Sequence, residues 1–208
     1  KILIGVSGGR DSIALLHVLS RLGYDIVVAH CNFHLRGEES NRDSEFVTKH
    51  VQDMDIPFYS IDFDTESYAH KHKLSIEMAA RDLRYEWFDS LIKLTGCKYI
   101  AVAHHSDDVV ETFLINMVRG TGLQGLTGIK PKNGNVVRPF LCVSRNEIND
   151  YIFDNSLDYV EDSTNSEVVY VRNKMRNIII PALESINPSF RTSTIQSIDN
   201  LTRTQNFV

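Results

Sequence analysis

The sequence predicts an α/β fold: a doubly wound, mostly parallel sheet with a helical extension at its C-terminal end. Three observations predict it. Short apolar runs at residues 2–6, 26–29, 58–61 and 99–103 alternate with longer stretches of helical periodicity, the rhythm of strand–helix–strand units. A glycine pair, Gly8 and Gly9, follows the first run directly and leads into a helix. Polar motifs follow the first, second and fourth runs, at residues 7–12, 30–40 and 104–111. In a parallel sheet those positions converge on the carboxyl edge, where ligands bind.

Each element has its own signal. After the strand at 2–6, Ile13, Leu16 and Leu19 space a helix that ends near Gly23. Residues 26–29 read as a buried strand, 31–39 as a loop and 40–54 as a helix. Pro57 opens the third strand at 58–61. The clearest helix spans 75–94, with Ile76, Ala80, Leu83, Trp87, Leu91 and Leu94 on one stripe and Gly96 closing it. A fourth strand at 99–103 precedes a helix over 107–118. A glycine-rich loop then runs to Gly134, followed by Val136 and Val137. Ser144 with Glu147 has the pattern of a capping box and opens a helix to 155. A polar stretch at 161–167 precedes a helix over 172–180, which Pro181 is expected to stop. The last segment, 188–206, is a polar helix with a thin apolar stripe of Ile195, Ile198 and Leu201.

Composition bounds the function. The chain has 208 residues, 42% hydrophobic and 24% charged, ordinary for a soluble globular protein. No run approaches the roughly 18 apolar residues of a membrane span, and the start lacks the pattern of a secretory signal; the expectation is a cytoplasmic protein without a membrane partner. Cys31, Cys97 and Cys142 stand far apart, which suits neither a disulfide framework nor a zinc site. The net charge is −5, whereas a module living on phosphate contacts usually carries a basic balance or stripe. Any nucleic-acid partner would be held through a local patch or by another domain.

The loop Ser7, Gly8, Gly9, Arg10, Asp11, Ser12 has the chemistry of a phosphate cradle. Glycines allow close backbone approach, the serines donate hydroxyls, and a helix N-terminus favours an anion. It is not a Walker A loop, because GxxxxGK[ST] is absent. An ordinary strand-to-helix turn with a polar cap is the plain alternative. Gly120, Gly122 and Gly125 spell GxGxxG, but a helix precedes them rather than a strand, so they read as a flexible loop.

SGGRDS after an N-terminal strand resembles the SGGxDS pyrophosphate loop of the N-type ATP pyrophosphatases, whose fold is adenine nucleotide alpha hydrolase-like. HCNFHLRGEES (30–40), AARDLRYEWF (79–88), AHHSDDVVET (103–112), RGTGLQGLTG (119–128), RPFL (138–141) and EDSTN (161–165) with RNKMRNIIIP (172–181) narrow the likeness. In that order they resemble the tRNA(Ile)-lysidine synthase family. The resemblance implies an ATP-dependent ligase. The keto oxygen of the wobble cytidine in a tRNA(Ile) with a CAU anticodon attacks the α phosphate of ATP, and free L-lysine then displaces AMP. It implies a catalytic domain at 1–185 and a linker helix at 186–208 leading toward further domains.

The resemblance also implies roles. Ser7, Gly8, Gly9, Arg10, Asp11 and Ser12 would hold ATP, with Asp11 contributing to Mg²⁺ binding. Asp108 and Glu111 would form the lysine-binding pair; on spacing alone, an Asp and a Glu three apart at a helix start also read as a capping box. Arg81 and Arg84 would contact lysine carboxylate or phosphate, where a bidentate fork suits; with Glu77 they could equally form a solvated row. Arg36, Ser40 and His104 are further substrate-binding candidates. A related tRNA thiolase or a non-catalytic nucleotide-binding module are the alternatives, and thiolases of that kind carry cysteine pairs that this chain lacks.

Overall fold

The computed structural model describes residues 1–161 and 171–205. Residues 162–167 of the expected polar stretch, and with them most of EDSTN, lie outside the described residues, as does Asn206. The chain forms two compact units. One comprises Lys1–Ala103, Lys132–Pro139 and Ile148–Glu161; the other comprises His104–Pro131, Phe140–Glu147 and Asp162–Val208.

The first unit contains the sheet. Its strands are β1 (Ile2–Gly5), β2 (Ile26–Asn32), β3 (Phe58–Asp62), β4 (Tyr99–Ala101), β5 (Lys132–Asn133) and β6 (Val136–Val137). They lie in the order β3-β2-β1-β4-β6-β5. All neighbours are parallel except β5 and β6, an antiparallel hairpin around Gly134. Leu3 and Ile4 are successive and both fully buried, so β1 is covered on both faces, as a parallel sheet requires. The chain builds outward from β1 to β3, then returns to place β4 on the other side of β1. The loop after β1 therefore sits at the switch point, where such sheets open a crevice.

The helices of this unit begin with α1 (Arg10–Arg21), α2 (Glu38–Gln52), α3 (Thr65–His72) and α4 (Ile76–Thr95). The α2 helix starts before Ser40, because Gly37, at φ 52°, turns the chain into it. Nothing in the apolar pattern announces α3, which rests on a local cap: Asp64 accepts from the Ser67 N–H at 3.0 Å. The α4 boundaries match the sequence reading, with Ser75 capping Met78 at 3.2 Å and Gly96 left-handed at φ 70°. Its buried face matches in part. Ala80 and Leu91 of the expected stripe are buried, but Ile76 and Leu94 are 41% and 71% exposed, and Ala79, Phe88 and Ile92 are buried outside it. Phe88 decides the rotation, since it packs with Leu3, Val27, Ala29 and Ile100 in the core under the sheet.

The second unit is helical. It contains α5 (Ser106–Val118), α6 (Leu123–Leu126) and a 3-10 turn at Pro139–Cys142 whose last three residues belong here. The helix α7 (Arg145–Asp154) begins in this unit and continues into the first. Its capping box is real: the Ser144 N–H and hydroxyl donate to Glu147 at 2.7 and 2.8 Å, and Ser144 accepts from the Glu147 N–H. Then come α8 (Val171–Lys174), a π turn (Met175–Ile179), α9 (Ile180–Ile186) and α10 (Phe190–Gln205). Pro181 does not stop the helix. It occupies the first turn of α9, where a missing N–H costs little, and the preceding turn widens so that the Ile180 N–H reaches the Met175 carbonyl. Val110, Leu114, Ile115, Met175 and Ile180 form the core, with Phe190 and Ile195 of α10 packed against it. Through Phe190 and Ile195 the last helix thus packs on this core.

The contact between β1 and α4 leaves no room for a side chain at Gly5. A Cβ there would lie 2.9 Å from Phe88 Cζ and 3.0 Å from Cε2, and Phe88 is only 2% exposed, so the ring cannot swing away. Gly5→Ala is expected to destabilise the protein by about 1–3 kcal/mol through overpacking. Urea unfolding should show a lower midpoint with an unchanged slope.

Candidate functional site

The loop after β1 is shaped by what it lacks. Gly8 has φ 92°, a conformation that side chains disfavour. A Cβ there would also meet Val47 Cγ2 at 3.0 Å and touch Phe46 and Val160. Gly9 is the N-cap of α1 and offers no side chain to its first-turn amides, so the mouth of a twelve-residue helix carries no side-chain cap. The serines fasten the loop. Ser12 Oγ donates to the Gly9 carbonyl at 2.8 Å, accepts from the Ser7 N–H at 3.2 Å and lies 3.2 Å from Ser7 Oγ. Ser12 is buried and Ser7 exposed, so Ser7 is the hydroxyl that can face a ligand. The Gly9 N–H is taken by Ser7 Oγ at 3.3 Å. A first helical turn without a side-chain cap, its positive dipole end and close backbone approach have the chemistry that favours an anion.

The Arg10 side chain turns toward residues 148–161. Its guanidinium donates to Asn149 at 2.6 Å and to the Tyr159 hydroxyl at 3.0 Å, and lies 4.7 Å over the Tyr159 ring. It ties the loop to residues 148–161, as does the Val160 N–H, which donates to the Gly8 carbonyl at 2.9 Å. Asp11 stands half-buried in the first turn of α1.

The end of β2 braces the same loop. His30 is 3% exposed, and its Nδ1 donates to the Val6 carbonyl at 2.8 Å. Burial lowers its pKa below 6.5, against the opposing pull of the Val6 carbonyl and of Asp43 and Asp62. Arg36 and Ser40 do come together. Ser40 Oγ accepts from the Arg36 N–H at 3.1 Å, while the Arg36 guanidinium donates to buried Asp43 at 2.7 Å. Asp43 carries no sequence signal, being one acid among many on α2.

The two arginines of α4 part company. Arg84 lies 5.1 Å over the Phe33 ring, beside the end of β2. Arg81 lies 5.0 Å over the Tyr85 ring. Tyr85 also hydrogen-bonds Arg138, whose pKa is lowered first by burial and then by the Arg81 charge. Arg138, in the RPFL segment, is grouped with Arg81 and Tyr85.

In the second unit, the first turns of α5 carry three buried acids and a buried histidine. Asp107, Asp108, Glu111 and His105 are 7%, 8%, 0% and 0% exposed. Asp108 does cap the helix, but as its third residue: Oδ2 accepts from the His105 N–H at 3.0 Å. Asp107 accepts from the Arg145 N–H at 2.8 Å and from the Arg191 guanidinium. Burial alone would raise the Asp107 carboxyl; the His105 hydrogen bond, the Arg145 N–H and the Arg191 charge outweigh it and hold it well below the usual carboxylate range. Arg145 also donates to His105 Nε2 at 3.1 Å. Glu111 is taken on both oxygens by Arg176, Nε at 2.6 Å and Nη2 at 3.0 Å. Arg172 lies 3.8 Å from both Asp108 and Glu111. Arg172, Arg176 and Arg191 are the residues that sequence reasoning missed here. RNKMRN contains the first two, but their partners are 60 or more residues away and no periodicity reveals them. His104 begins this unit; among the described residues no group of three His, Cys, Asp or Glu could hold a metal.

A parallel sheet with an open, glycine-lined helix mouth at its switch point defines an α/β protein of the adenine nucleotide alpha hydrolase type. The PP-loop domain family matches residues 1–183, and the chain belongs to that family. It is 52% identical over 200 residues to the tRNA(Ile)-lysidine synthase of Parabacteroides distasonis, covering 96% of this chain and 46% of that protein. With that of Bacteroides thetaiotaomicron it shares 52% over 201 residues, covering 97% and 47%. The chain spans about half the length of the curated relatives it matches. Among solved structures, the U34-tRNA thiolase NcsA from Methanococcus maripaludis superposes with TM-score 0.75 over 96% of this chain and 70% of its own, at 17% identity. The NH3-dependent NAD synthetase from Campylobacter jejuni superposes with TM-score 0.58 over 99% and 85%, at 14% identity. At such identities these two share the fold. No helix among the described residues is long and apolar enough to cross a membrane.

The buried His30 makes stability depend on pH. Its folded pKa lies below 6.5, so the unfolded chain binds the extra proton first as pH falls. The His30 contribution is complete above about pH 6.5 and is lost progressively below it. Urea midpoints measured from pH 7.5 to 5 should fall more for the wild type than for His30→Gln, which has no proton to gain.

Proposed function

We propose that this chain is the ATP-cleaving part of a tRNA(Ile)-lysidine synthase. It would adenylate the wobble cytidine of a tRNA(Ile) with a CAU anticodon and join free L-lysine to it. The observation that carries the reading is the Gly8–Gly9 loop: an uncapped helix mouth whose geometry excludes a side chain at residue 8. The family match and the two close relatives supply the chemistry.

In the first step the cytidine keto oxygen attacks the α phosphorus, and the bond to the bridging oxygen of pyrophosphate breaks. This transfer needs positioning and charge neutralisation more than covalent help. The loop amides and Ser7 would bind the departing pyrophosphate, and the Ser12 bonds would keep the loop in that shape. Asp11 would help hold Mg²⁺, which neutralises phosphate charge when bound. One carboxylate fits an ion that usually takes one or two, with phosphate and water oxygens filling its shell. In the second step the lysine amine attacks the activated carbon, AMP leaves, and the amine loses a proton. Asp108 and Glu111 would hold the ammonium and accept its proton, and Arg81 or Arg84 would pair with an anionic group, carboxylate or phosphate.

The thiolase alternative fares worse. Burial pushes the Cys31 thiol up to about 12, against a small opposing effect of Arg84, which suits a structural sulfur rather than a nucleophile. Cys97 is buried and Cys142 exposed.

The full-length protein carrying this chain, given ATP, L-lysine and the tRNA, should release pyrophosphate and leave lysidine, read by mass analysis of the tRNA. Gly8→Ala is expected to slow pyrophosphate release by on the order of 10²-fold, through misplacement of the phosphate groups. Asp108→Asn should abolish lysidine while pyrophosphate release persists. Product that carries sulfur, or no release from the folded wild type, would overturn the proposal.

A further inference from the structure

We propose that Arg176 is a built-in stand-in for the amine substrate, occupying the ammonium subsite on Glu111 and Asp108 until lysine displaces it. The inference rests on reading Asp108 and Glu111 as the amine-binding pair. As the structure stands, that pair is taken. Glu111 has no exposed surface, and Arg176 holds both its oxygens at 2.6 and 3.0 Å. The Arg176 Nη2 also lies 3.7 Å from Asp108 Oδ1. A single guanidinium thus bridges the two acids that the ligand's ammonium would bridge.

The charges favour an exchange over an addition. Among the described residues, Arg172 and Arg176 both stand within 3.8 Å of Asp108 and Glu111. A further cation on that pair would add positive charge to a buried site already holding two guanidinium groups, which a low dielectric opposes. Arg172 is the outer member, with 42% of its side chain exposed. Arg176, at 23%, is the one that covers Glu111. Removing its fork from the carboxylate opens the oxygens and removes one positive charge in the same movement.

Arg176 lies in the π turn Met175–Ile179, where the Ile180 N–H reaches back five residues to the Met175 carbonyl. Such turns are rare and occur frequently at functional sites. With the backbone fixed by Pro181, the movement is one of the long Arg176 side chain, which leaves the acids by rotating about its own bonds. A residue that competes with substrate for its own site sets amine affinity and excludes water from the acids until the amine arrives.

The test is calorimetric titration of L-lysine into the full-length protein. Arg176→Ala should bind L-lysine about tenfold tighter than the wild type, because the competing cation is gone. A residue with a merely structural role would give weaker or unchanged binding, and either result overturns the proposal. Should Arg176→Ala fail to fold, with its Glu111 charge stranded, Arg176→Lys carries the same test. It keeps the charge but not the fork, and it too should bind more tightly. Asp108→Asn separates the two layers of the argument. Lysine binding that Asp108→Asn abolishes but the Arg176 variants do not strengthen removes the stand-in and leaves the acid pair. Lysine binding that Asp108→Asn leaves untouched removes the pair itself, and the stand-in with it.

Discussion

One backbone angle governs the first unit. Gly8 turns through φ 92° with Val47, Phe46 and Val160 close against the place where a Cβ would be, and that turn brings the chain into α1 with no side chain over its first amides. The surroundings are organised to keep it so. Ser12 locks the inside of the loop, Arg10 reaches Asn149 and Tyr159, and the Val160 N–H takes the Gly8 carbonyl. His30 fixes the strand that feeds the loop by holding the Val6 carbonyl. Rigid backbone donors of this kind need no rearrangement when charge arrives, which is why they suit phosphate chemistry.

The second unit solves a different problem, that of placing three buried carboxylates side by side with little water. Asp107 is held down by a backbone N–H, a histidine and Arg191; Asp108 and Glu111 are held by Arg172 and Arg176. Pairs this buried are weak contributors to net stability, because desolvation offsets most of the attraction. Breaking one is costly all the same, since the remaining charge stays buried. Such an arrangement specifies position more than it adds stability, and it ties α5 to α8, the π turn and α10.

Much of this was legible in the chain. The order of strands and helices followed from apolar runs of two lengths, and the phosphate loop from two glycines directly after a strand. The capping box at Ser144 and Glu147 and the left-handed Gly96 were local signals that survived intact. What failed were inferences that depend on a partner. The stripe on α4 held in part, at Ala80 and Leu91 and partly at Trp87, because Phe88 and Ile92 also enter the cluster around Leu3 of β1 and rotate the helix toward themselves. Pro181 reads as a terminator, but a widened turn absorbs it. The arginines on the α5 acids could not be found by spacing, since each pair joins residues 61 or more positions apart, and the short α3 has no apolar stripe to announce it.

The hairpin at β5 and β6 has a bearing on solubility. A parallel sheet ends on each side with a row of unpaired amides and carbonyls, a template for strands from other molecules. Here one border is formed by β5, only two residues long, antiparallel to its neighbour and exposed at Lys132 and Asn133. A foreign strand would find too few partners to register against, and a lysine where it would have to lie. That border of the sheet is thereby guarded against self-association by shortness and charge alone.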